Sequence, residues 1–256
     1  MSPFRLFWVF LGLFLLAYFG LSTVSPELRK SSEMRKKDLE ITGVENLIRE
    51  QMDRLTEGQK AELRVLEENL QHANEDSMKV QSLGALSAYW LRLEEFSIAG
   101  AYARRLAELE KNADRWSLSG QSFLRCLEGN GSLKEKQFCR QNALHCFDQA
   151  LSLQPMDPML EMYKALTYVK MPDEEPMKGV RMLLELEKKH PELVALQLQL
   201  ADLAMQTGQL EKAETRLRKL LELEPGHETA NCLMVQLLNQ MNRNKETEKY
   251  IIHCKH

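Results

Sequence analysis

The chain has 256 residues, 44% of them hydrophobic, and a formal net charge of −3 with both signs interspersed. That balance excludes the basic footprint of a nucleic-acid binder. Helix-forming residues dominate, no Gly-rich strand-to-helix motif occurs, and nothing alternates at period two over a useful length, so the expectation is all-α.

In chain order, the first element is "FRLFWVFLGLFLLAYFGLSTV", Phe4 to Val24, whose only charge is Arg5. Its apolar run is about long enough for a bilayer core of roughly 30 Å, so 1–24 reads as a single transmembrane signal-anchor. A cleaved signal peptide is the competing reading, because Gly20 and Ser22 are small residues around a potential cut before Thr23. No lipobox cysteine is nearby. Arg29, Lys30, Arg35, Lys36 and Lys37 follow the span, against Arg5 before it, and the positive-inside rule leans the rest of the chain toward the cytoplasm. Five cysteines, an odd number, also fit a reducing compartment better than a disulfide framework. Export is the alternative.

Residues 25–40 form a polar juxtamembrane linker, and 41–76 hold two short helices. Thr42 with Glu45 and Thr56 with Gln59 have capping-box spacing, each ahead of an apolar stripe, the second being Leu63, Leu66 and Leu70. These stripes either pack onto the first hairpin that follows or mediate a short coiled-coil contact.

Beyond them the chain repeats itself. In "QLADLAMQTGQLEKAETRLRKLLELEPGH", Gln199 to His227, Ala201 and Ala204 share one helical face, and Gly208 makes a break. Ala213, Leu217 and Leu220 then resume a 3.6-residue stripe ending before Pro225. Small residues on both helices permit a close approach, so the segment is an αα-hairpin. One hairpin cannot bury both of its faces and needs neighbours. Upstream, Trp116, Ser119, Gly120 and Phe123 lie at first-helix offsets, and Ala143, Phe147, Ala150 and Pro155 reproduce the spacing of Ala213, Leu217, Leu220 and Pro225. Pro191 to Pro225 spans the tetratricopeptide period of about 34 residues.

From these residues the chain resembles the tetratricopeptide repeat family, and more narrowly a group of membrane-anchored tetratricopeptide proteins of Bacteroidota. The resemblance implies an αα-hairpin solenoid, a right-handed superhelix behind the anchor. Its units would be a degenerate hairpin at 77–112, a repeat with an inserted loop at 113–156, repeats at 157–192 and 193–227, and a C-terminal hairpin at 228–256. Excess length between Phe123 and Ala143 is expected as an extended loop in "LEGNGSLKEKQF", with a smaller expansion at "KMPDEEPMKG". Asn242-Arg243-Asn244 is the expected turn of the last hairpin.

The function implied is a membrane-tethered scaffold or assembly factor, not an enzyme. It would hold a protein or peptide partner in a concave groove, single-pass in a bacterial cytoplasmic membrane. Alternatives are a periplasmic factor similar to the repeat domains of cytochrome c maturation, or a Cys/His metal-handling protein. Counting registers, the groove positions are Gln121, Arg125, Met162, Leu166, Asp202, Gln206, Gln236 and Gln240. They lack the Lys and Asn with which one tetratricopeptide subclass clamps a terminal carboxylate. Tyr250 and Ile251, in an expected closing helix "KETEKYIIHCKH", are the candidate docking face for a partner or a second copy. Cys139, His145 and Cys146, and His253, Cys254 and His256, lack the C-x2-C or H-x3-H form of a strong zinc site, so no metal or cofactor is expected. Glu211, Glu214, Glu222 and Glu224 alternate with Lys and Arg as on a solvated helix face.

Overall fold

A computed structural model of the protein describes residues 43–254. The chain divides into two units between Leu55 and Thr56. The expected anchor and linker lie outside the described residues. Among the described residues no helix is long and apolar enough to cross a membrane. The first unit contributes α1 (Val44–Met52), which buries no residue. Thr42 of the expected capping box lies outside the described residues, and α1 starts after Gly43 with no side-chain cap.

The second unit is entirely helical among its described residues. It opens with α2 (Glu57–Gln71), where the Thr56–Gln59 capping box is formed in both directions. The Gln59 amide donates to Thr56 Oγ1 at 3.3 Å, and the Thr56 amide donates to Gln59 Oε1 at 2.8 Å. α2 lies on the first hairpin, formed by α3 (Asp76–Arg92) and α4 (Phe96–Glu110). Leu63 is buried, the Tyr89 hydroxyl donates to the Gln59 carbonyl at 3.0 Å, and Arg92 pairs with Glu62. Of the two uses left open for this stripe, packing onto the first hairpin is the one found.

Four further hairpins follow: α5 (Ala113–Cys126) with α6 (Leu133–Leu153), α7 (Pro158–Lys170) with α8 (Lys178–Lys189), α9 (Val194–Gln206) with α10 (Leu210–Leu223), and α11 (Glu228–Gln240) with α12 (Glu248–Ile251). Each packs on the next in sequence order. Small residues set the crossings. A Cβ on Gly120 would stand 2.6 Å from the Phe147 ring, and one on Gly179 would stand 2.6 Å from the Ala165 carbonyl. Ala201 and Ala213 are fully buried, as the hairpin reading of 199–227 requires. Phe123, Phe147, Leu217 and Leu220 fill the space beyond, each burial contributing about 1.5–3 kcal/mol.

Local signals recur with the repeat. Three hairpin turns place one residue in the left-handed region, Glu94 (φ 60°), Gly208 (φ 73°) and Asn242 (φ 57°). In each, the following amide reaches back five residues in the 6→1 bond of a Schellman turn: Glu95 to Trp90, Gln209 to Ala204 and Arg243 to Leu238. Second helices end ahead of Pro155, Pro191 and Pro225. There Gln154, His190 and Glu224 leave the α region with ψ of 75°, 62° and 78°, because a following proline ring disfavours it.

Two expectations about length are corrected. "LEGNGSLKEKQF" is not an extended loop. Only residues 127–132 are non-helical, and α6 instead begins at Leu133 and runs for 21 residues. Ser132 caps it by accepting from the Glu135 amide at 3.2 Å, a Ser-x-x-Glu signal the repeat offsets overshadowed. The closing helix is also shorter than expected. After Asn242 the chain makes a 3-10 turn at Asn244–Glu246 and then only four α-helical residues.

The cysteines are the third correction. Cys126 is bonded to Cys139 and Cys232 to Cys254, with Cα atoms 6.2 and 4.9 Å apart. An odd count concealed two pairs and one buried thiol, Cys146.

Candidate partner-binding surface

The positions proposed for the groove fall into two kinds. Gln121 is partly exposed on α5 and donates to Ser117 Oγ at 3.1 Å. Arg125 is exposed, with its guanidinium 4.5 Å above the Phe96 ring centroid, which fixes the charge over an aromatic face. On α9 the exposed Gln206 donates to Asp202 at 2.7 Å, one helical turn away. Gln236 and Gln240 are exposed on α11. These bonds run within single helices, leaving amide and carboxylate groups at the surface.

Met162 and Leu166 are different. They are 2% and 5% exposed, on a helix with neighbouring hairpins on both sides, so they are core residues and line no open surface. Tyr250 is likewise corrected. It is 8% exposed and belongs to the core formed with Leu237, Leu238 and Leu217, whereas Ile251 and Ile252 are 52% and 70% exposed. With only one turn of helix, the side chain that turns inward is Tyr250, and its two successors face solvent.

Apolar residues missed by register counting mark the clefts between hairpins. One of about 210 Å³ is lined by Gly84, Ala88 and Leu91 of α3, Ala103 and Leu106 of α4, and Leu118 and Ser122 of α5, with Arg115 at its edge. Another of about 250 Å³ lies between Val180 and Leu184 of α8, Leu200 and Leu203 of α9, and Lys212 and Arg216 of α10. Leu118 stands alone among serines in "WSLSGQS", a visible signal once that face is taken as surface.

Electrostatics tie the repeats together. The Asp173 carboxylate, in the expansion between α7 and α8, accepts from the Glu175 amide at 2.9 Å and meets Lys178 and Arg140. That amide bond first, then the cations, hold its carboxyl below the usual range. Burial pushes the Glu214 carboxyl up, yet hydrogen bonds from Arg243 and Arg218 outweigh it and leave it lowered. Arg243 also pairs with Glu246, so the terminal turn is bound to α10.

Among the described residues no group of three His, Cys, Asp or Glu side chains is placed to hold a metal ion. Cys139 and Cys254 are in disulfides. Cys146 is buried on the face of α6 that packs on α5, 3.3 Å from the Ser119 hydroxyl, and burial pushes its thiol up to about 11. The cysteines of both sets are thus engaged in disulfides or buried.

Comparison with known proteins gives one family-model match, confined to a short segment. A tetratricopeptide repeat model matches residues 194–237. No curated protein matches the chain. Among solved structures, the RS-1 MamA ArsTM double mutant is 17% identical with a TM-score of 0.45, covering 72% of this chain and 94% of that one. A MamA crystal structure gives 11%, 0.42, 68% and 88%, and an AMB-1 MamA structure 13%, 0.38, 69% and 90%. The segment 194–237 is therefore matched as a tetratricopeptide repeat; α3/α4 and α11/α12 share its left-handed turn, and α6 and α8 share its proline-terminated end.

Proposed function

We propose that the chain is a membrane-tethered scaffold or assembly factor, single-pass in a bacterial cytoplasmic membrane, that holds a partner protein along the exposed side of its hairpin stack. The observation that carries this reading is the stacked series of hairpins around the matched repeat, with surface amides at Gln121, Gln206, Gln236 and Gln240 and apolar clefts between hairpins. Such a surface recognises an extended segment or a helix through backbone-compatible amides and shallow apolar pockets. A photocrosslinking amino acid at Gln121, Asp202 or Gln236 in the full chain should give discrete protein adducts in native membranes. One at Glu222, exposed on α10, should not. Adducts from Glu222 alone, or from none of the four, would remove the assignment.

A further inference from the structure

All five cysteines lie within the described residues, and each is either bonded or shielded. Cys126 is the last residue of α5 and Cys139 the seventh of α6, so their bond closes the 127–132 loop against the lengthened part of that helix. Cys232 lies on α11 and Cys254 just beyond α12, so their bond holds the segment after α12 to α11, where the shortened second helix buries little. Both pairs have the Cα separation a disulfide needs without backbone movement. Cys146, the one unpaired thiol, is buried completely. A chain in a reducing compartment has no need to pair four thiols and conceal the fifth. One in an oxidising compartment does, because an exposed odd thiol there exchanges with neighbouring disulfides.

We propose that the repeat unit matures in an oxidising compartment, on the exported side of its tether, where a disulfide-bearing oxidant supplies both of its bonds. This reverses the lean that the juxtamembrane Lys and Arg residues give. In each pair one cysteine thiolate attacks the oxidant's disulfide, forming a mixed disulfide and releasing one oxidant thiol. The second cysteine thiolate then attacks the mixed disulfide, forming the intramolecular bond and releasing the other. Two thiols of this chain are oxidised, one disulfide of the oxidant is reduced, and the two protons that this chain's thiols lose end on the oxidant's two released sulfurs. Cys126 and Cys139 are buried in the folded unit, so their oxidation precedes or accompanies the packing of α5 on α6. Cys232 and Cys254 stay partly exposed and open to exchange after folding.

The test is a thiol count on the full chain in its native membrane, acid-quenched, denatured and labelled with a maleimide-polyethylene glycol. Expected is one adduct per chain before reduction and five after it, with Cys146→Ala lowering each count by one. Three or five adducts before reduction would overturn the proposal. The outcome is independent of partner crosslinking, so the scaffold reading stands or falls separately.

Discussion

The α5/α6 and α11/α12 hairpins each carry a disulfide, but the bonds do different work. In the first, a 14-residue helix meets a 21-residue helix, Gly120 lets the Phe147 ring approach closely, and the disulfide lies buried beside packing that already holds the pair. In the second, a 13-residue helix meets only four helical residues, and the partly exposed disulfide joins Tyr250 and the Arg243–Glu214 contact in holding residues 243–254. The difference shows how a hairpin with a short second helix is held: local covalent and ionic ties replace area of contact.

The largest way to break the comparison is through the first core. Phe147→Ala should cost about 3–5 kcal/mol in urea unfolding, because a fully buried ring leaves a cavity. Replacing Cys232 and Cys254 together by Ala should cost about 2–4 kcal/mol and raise amide exchange over residues 241–254, with α5 and α6 unchanged. In the wild type under native conditions, mild reductant should open Cys232–Cys254 before Cys126–Cys139, which mass spectrometry of alkylated peptides reads directly. Equal opening would show that the front bond is not protected by burial. Gly120→Ala should cost about 1–3 kcal/mol, since its Cβ cannot avoid the Phe147 ring without displacement.

Acid probes the ionic tie. Glu214 has its carboxyl lowered from the usual 4.5, so its stabilising contribution is complete above that value and is lost as pH falls through the lower folded-state value. The urea midpoints of wild type and Glu214→Gln should therefore differ at pH 7 and converge in acid. The smallest effect is expected from Ile251→Glu with Ile252→Glu, within about 0.5 kcal/mol, because both side chains are exposed. If that variant lowers self-association seen by sedimentation, the exposed pair is a docking face; unchanged association assigns none to it.

Much of this architecture was legible in the residues themselves. Local chemistry wrote it: Thr56 and Gln59 close a capping box, Gly208 and Asn242 take left-handed turns, and Pro155, Pro191 and Pro225 end helices wherever they occur. Small residues at Ala201, Ala213 and Gly120 announced close crossings, because nothing larger fits between two helix backbones. What the tertiary structure alone decided was which residues of similar register remain at the surface. Met162 and Leu166 occupy counted groove positions, as Asp202 and Gln206 do, yet neighbouring hairpins bury the first two and not the second. Tyr250 and Ile251 are adjacent and point about 100° apart on one helix, and it is the core of Leu217, Leu237 and Leu238 lying on the Tyr250 side that buries the one and leaves the other out. Cysteine pairing belongs to the same class, since Cys126 and Cys139, and Cys232 and Cys254, meet only after helices fold back on one another. Periodicity fixes the direction of a side chain from its own helix, whereas burial and bonding depend on what another part of the chain places there.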